Sequence, residues 1–218
     1  MSLSSSAPWL KYYGNVPHHL SYPQKTIYQM VKAAAERNPK LPAYEFMGKK
    51  TTFAQFMQKI DETAQAFLAM GIKKGDHIAI WAPNIPEWVL TLFATAKIGG
   101  VLVTVNTNYK VFELEYLLKQ SDSAALVMAP SFKSTSYAEI INELLPGLAE
   151  QDPAKPLHRE ELPYLRHIFY TGGEGLPGTT PFWSLKELGR SVPDEVLEAA
   201  KRDQHYDDVV NMQYTSGT

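Results

Sequence analysis

The 218-residue chain has no cysteine. Disulfides, thiolate metal sites and an acyl group held on an enzyme thiol are therefore excluded for this chain. That composition agrees with a reducing, cytoplasmic setting. Positive charge is not in excess: 21 Lys and Arg stand against 23 Asp and Glu, a formal net charge of -2. Nothing in that balance points to nucleic acid or an acidic lipid surface. The six histidines show neither H-x-x-x-H nor H-x-H spacing, so no metal site is expected from them. The chain also lacks Gly-Lys-Ser/Thr and the G-x-S-x-G elbow, which removes the Walker-type phosphate loop and the hydrolase nucleophile. The opening "MSLSSSAPWLKYYG" has no basic region followed by an apolar run, so no signal peptide is read. No transmembrane segment is expected either. The longest apolar stretch, residues 88–105, is broken by Lys97, Gly99 and Gly100. It reads as a helix followed by a buried strand.

What is present is 44% hydrophobic and 20% charged, the balance of a globular protein with one substantial core or two small ones. Residues 1–22 read as an irregular entry. A helix is expected over residues 26–37. "AYEF" and "KKTT", joined at Met47-Gly48, read as a hairpin. Thr52 with Gln55 three residues on predicts a capping box opening a long helix, and Gly71 is placed to end it. Strands are expected at 77–81, 101–105, 124–128, 165–170 and 209–214. Helices fall between them: one opened by Asn84 and Glu87 with Pro86 in its first turn, one over 111–120, and one opened by Ser136 and Glu139 through 145. Residues 151–163 read as an exposed excursion. Two short helices are expected around 183–188 and 194–202. The alternation of strand and helix predicts an α/β fold: a mostly parallel sheet flanked by helices, with right-handed crossovers.

Two stretches invite a phosphate ligand. The terminal "YTSGT" is a strand end running into Thr215, Ser216, Gly217 and Thr218. Successive amides in such a turn, with three hydroxyls, can surround a phosphate oxygen. An ordinary polar turn is the alternative. "GEGLPG", residues 173–178, formally fits G-x-G-x-x-G after a strand. A dinucleotide fingerprint has to open a helix there, and Pro177 with "GTTP" delays one to about Pro181. A surface loop is the expectation. Trp81, Asn84, Trp88 and Asn106 lie near strand ends, where open sheets place ligands; none is assigned to a site.

Read together, several segments resemble the acyl-adenylate-forming (AMP-binding) enzymes. "QYTSGT" looks like the first half of that family's phosphate loop, Thr-Ser-Gly-Thr-Thr-Gly-x-Pro-Lys-Gly. "TTFAQF" resembles an early helix start of the family, with Phe56 where Leu is common. "AKIGGVLVTVNTNY" resembles its Lys-x-Gly-Gly/Ala-x-x-x-Pro-x-Asn-Pro core, with Thr107 where proline is frequent. "ELEYLLKQSDSAALV", "SFKSTSYAEIINELLPGL" and "LPYLRHIFYTGGEGLPGTTPFWSL" resemble medium-chain fatty acyl-CoA synthetases. The resemblance implies that residues 23–218 are the N-terminal portion of an AMP-binding domain, cut within the phosphate loop. It implies an ATP-dependent ligase whose partners are a small carboxylic acid, ATP with Mg2+, and coenzyme A. Thr215, Ser216, Gly217 and Thr218 would hold the β and γ phosphates, and the catalytic Lys would lie beyond Thr218. This chain alone is expected to be inactive. An aryl-CoA ligase, a peptide-synthetase adenylation domain and a non-catalytic α/β module are the alternatives.

Overall fold

The computed structural model describes residues 23–215. The entry expected over 1–22, and Ser216, Gly217 and Thr218, lie outside the described residues. Helix α1 (Ile27–Arg37) starts one residue later than expected, because Thr26 is its N-cap and pairs reciprocally with Gln29. Strands β1 (Pro42–Phe46) and β2 (Lys49–Thr52) form the antiparallel hairpin. Met47 and Gly48 both take positive φ, 48° and 76°, the backbone that a tight two-residue turn between twisted strands requires. The Thr52–Gln55 capping box opens α2 (Phe53–Ala69) as read from the sequence. Past its end, the Ile72 amide reaches back to the Phe67 carbonyl at 3.0 Å across left-handed Gly71.

The central sheet comprises β3 (His77–Trp81), β4 (Val101–Thr104), β5 (Ser123–Met128), β8 (His167–Tyr170), the two-residue β9 (Thr180–Pro181) and β10 (Asn211–Gln213). A small antiparallel hairpin, β6 (Ser131–Phe132) with β7 (Thr135–Ser136), precedes β8 in the chain. The sheet order is β10-β4-β3-β5-β8-β9, and every pairing in it is parallel. The helices are α3 (Pro86–Lys97), α4 (Val111–Gln120), α5 (Tyr137–Leu144), α6 (Leu185–Gly189) and α7 (Asp194–Arg202). Side chains alternate across a sheet, so Phe169, in register with Val127 and Ile80, faces away from Trp81. Phe67 of α2 packs on Phe169, while Tyr137 of α5 stacks on Trp81. The sheet is therefore covered on both faces, and β3 and β5 are almost wholly buried.

The structure corrects several expectations and adds short elements to them. Asn84 does not cap α3: Ile85 is the N-cap, without a side-chain hydrogen bond, and Pro86 sits in the first turn. Hairpin β6–β7 and strand β9 carry too few residues for a period-two pattern, and neither was foreseen. Strand β8 begins at His167, and β10 covers only Asn211–Gln213.

Candidate functional site

In a parallel sheet every strand points the same way, so the loops that follow them gather on one edge. The chain leaves β3 for β4 on one side, then crosses back over β3 to β5 on the other. The loops after β3 and β5 therefore diverge, and the crevice between them is where such sheets usually admit a ligand. Here the protein fills that crevice itself. Trp81 and Tyr137 stack there with ring centroids 3.7 Å apart and planes 11° apart. Both are fully buried, and burial pushes the Tyr137 phenol up to about 12.

That leaves the β4–β10 side of the edge. Gln213 is in register with Thr104, so β10 and β4 run out of the sheet together. Met212 and Tyr214 pack on the core while Gln213 and Thr215 are exposed, the alternation of a half-covered edge strand. The Tyr214 phenol is held above its ordinary value, first by burial and then by Tyr116. Thr215 thus stands exposed at the carboxyl edge. Ser216, Gly217 and Thr218, read with it as a phosphate loop, lie outside the described residues.

Beside it runs the β4–α4 loop, residues 105–110. Its Asn106 side chain accepts from the Asn108 amide at 2.9 Å, and its Asn106 carbonyl accepts from the Tyr109 amide at 3.1 Å. Lys110 Nζ donates to Thr135 Oγ1 at 2.8 Å, tying this loop to β7. The exposed side chains of Asn106, Asn108 and Lys110 line the open side of the edge.

The other candidates fall elsewhere. Residues 173–178 form turns and open no helix, so the dinucleotide pattern has no phosphate-facing helix end. Asn84 borders an apolar cavity of about 200 Å³ with Tyr44, Phe46, Ile85 and Val89. Trp88 is half-buried in α3. Among the described residues no group of three or more His, Asp or Glu could hold a metal ion, so none is assigned to magnesium.

His167 is buried at the opposite, amino edge of the sheet, and its Nδ1 has no hydrogen-bond partner. Burial, reinforced by Arg166, pushes its pKa below the usual 6.5. The group favours the folded state above the unfolded value, and that contribution is lost as pH falls through the depressed folded value. The urea midpoint should accordingly drop between about pH 7 and about pH 5, and drop less in His167→Gln. Equal losses in the two proteins would remove His167 as the cause.

The AMP-binding enzyme family matches residues 31–218, most of the chain. The chain belongs to that family. YngI of Bacillus subtilis (strain 168), named as an acyl-CoA synthetase, is 45% identical over 195 residues, covering 88% of this chain and 35% of YngI. The mitochondrial medium-chain acyl-CoA ligase ACSF2 of Danio rerio is 36% identical over 195 residues, 88% of this chain and 32% of that one. The AMP-binding chain thus spans about a third of the length of these relatives. The anthranilate CoA ligase AuaEII, in complex with anthranoyl-AMP, superposes with a TM-score of 0.71 over 90% of this chain and 33% of its own, at 20% identity. The N-terminal domain of FACL13 from Mycobacterium tuberculosis gives 0.64 over 88% and 42%, at 24% identity. At such identities the superpositions speak for the fold. The family assignment rests on the family match and on the relatives above 30% identity. No described helix is long and apolar enough to cross a membrane.

Proposed function

We propose that this chain is the N-terminal portion of an acyl-CoA synthetase that activates a fatty carboxylic acid and passes it to coenzyme A. The observation that carries the reading is the delivery of Thr215 to the carboxyl edge by β10, beside a braced loop. The name of ACSF2, a medium-chain acyl-CoA ligase, supports an aliphatic rather than an aryl acid.

A carboxylate is a poor acyl donor because oxide would have to leave. In the reaction proposed, a carboxylate oxygen attacks the α-phosphorus of ATP and the bond to the bridging oxygen breaks, releasing pyrophosphate. The coenzyme A thiol then adds to the acyl carbon and AMP departs. The first step is an in-line displacement governed by positioning and charge. Thr215, Ser216, Gly217 and Thr218 would contribute amides and hydroxyls around the β and γ phosphates. Magnesium, travelling with the phosphates, would neutralise charge there.

Carboxylate-dependent exchange of labelled pyrophosphate into ATP, in the full-length protein, tests this. Exchange should be strongest with fatty acids of intermediate length. Ser216→Ala should reduce it by roughly 100- to 1000-fold, the range found when one donor to developing oxyanion charge is removed. Best exchange with a benzoate or an amino acid would favour the other adenylating ligases, and none with any acid would sink the reading.

A further inference from the structure

The buried pair at the sheet's crevice points outward in one respect. Each ring has one polar hydrogen, and each hydrogen goes to the same loop. Trp81 Nε1 donates to the Asn106 carbonyl at 3.2 Å, and the Tyr137 hydroxyl donates to the Thr107 carbonyl at 2.8 Å. The donors come from different elements, the end of β3 and the start of α5, and they meet successive carbonyls. A buried aromatic with a polar tip is normally satisfied by whatever lies nearest. Here the stack fixes the two rings against each other, so the tips act as one rigid bracket on the loop. Backbone bonds complete the hold: the Val105 amide reaches the Ile80 carbonyl at 3.0 Å, and the Tyr137 amide reaches Pro130 at 3.0 Å. The inner side of residues 105–110 is therefore braced, while Asn106, Asn108 and Lys110 face outward. The loop leaves the sheet beside the continuation of β10.

We propose that Trp81 and Tyr137 are positioning residues for the nucleotide site: their stacked rings hold the β4–α4 loop as a fixed wall beside β10 and Thr215, so that the triphosphate end of ATP meets a surface already in place. The proposal rests on the function proposed above. Pre-set geometry spares the ligand the cost of ordering the loop. That saving is the same in the bound substrate and the transition state, so its loss raises KM and leaves kcat almost unchanged.

The test uses the full-length protein, magnesium ATP and octanoate as the acid, with pyrophosphate exchange as the readout. Tyr137→Phe keeps the stack and removes one donor; Trp81→Phe keeps a ring and removes the other. Each is expected to raise the KM for ATP about fivefold, with kcat within about twofold and the KM for octanoate unchanged. Amide hydrogen exchange at residues 107–109 should accelerate in both variants without nucleotide and recover with saturating ATP. A lowered melting temperature with the ATP KM within about twofold of wild type overturns the proposal, because a merely structural pair gives that result. An equal rise in the KM for octanoate overturns it too. If Tyr137→Phe does not accumulate folded, Trp81→Phe is judged by the same two criteria. If the wild-type protein shows no carboxylate-dependent exchange, the function reading has failed and this proposal falls with it. Exchange in wild type with indifferent variants sinks the positioning role alone.

Discussion

Gly178→Ala should destabilise the protein by about 4 kcal/mol, while Gly173→Ala, five positions earlier in the same "GEGLPG" stretch, should change stability by less than about 0.5 kcal/mol. The two glycines differ in what surrounds them. A Cβ on Gly178 would lie 1.7 Å from the Leu148 carbonyl oxygen and 2.6 Å from its carbon. Those are backbone atoms of a short 3-10 helix, Leu148–Glu150, whose first residue is buried, so no side chain can rotate aside. Gly178 also has φ +79°, a left-handed conformation that costs an L-residue about 1–2 kcal/mol. Forcing the segments apart adds about 1–3 kcal/mol, as for other overpacked sites. At Gly173 a Cβ meets nothing within 4 Å and φ is unremarkable. Urea unfolding of both variants decides the matter; matching midpoints would mean that the close approach to Leu148 carries no weight.

The second large effect concerns a charge inside the helical layer. Lys97, in the last turn of α3, is 1% exposed. Its ammonium lies 2.5 Å from an Asp61 oxygen on α2 and 4.8 Å from the centre of the Tyr28 ring on α1. One cation thus joins three helices. Removing the carboxylate strands a buried ammonium against the Tyr28 ring face, and Asp61→Ala is expected to cost about 3 kcal/mol. That figure sits at the lower end for buried pairs because Asp61 is itself 42% exposed and water already screens it. Lys97→Met removes the charge and keeps the volume, so its loss should stay below about 1 kcal/mol. The double variant should resemble Lys97→Met. A loss for Asp61→Ala no larger than for Lys97→Met would show the pair to be energetically idle.

These two sites show what the sequence conveys and what it conceals. Lys97 interrupts an apolar run, which is visible in one dimension, but Asp61 and Tyr28 reach it only through packing of three helices. The glycines of "GEGLPG" suggested a phosphate turn by spacing alone. In the fold Gly178 answers to a carbonyl from a distant segment, which no spacing encodes. Long periodic elements were legible because burial repeats within them: α2 with its Thr52 cap, and β3, β4 and β5 as apolar strands. Strand order was not, since a parallel strand's neighbour is chosen by the direction of each crossover. At the candidate site, a strand leading to Thr215 was legible from Val209, Val210, Met212 and Tyr214, though only Asn211–Gln213 pair. The bracing of the adjacent loop by Trp81 and Tyr137 was not, because each partner lies on a different element.

Strand order also has a consequence for biosynthesis. β10 is the last described strand in the chain, yet among the described residues its only partner is β4, which a ribosome would complete roughly a hundred residues earlier. At about 5–20 residues per second, the flank of Val101–Thr104 stays open for many seconds on the nascent polypeptide. An unpaired hydrophobic flank of that kind is a template for aggregation, so chaperone demand in this protein should centre on the β4 side of the sheet until Asn211–Gln213 emerges.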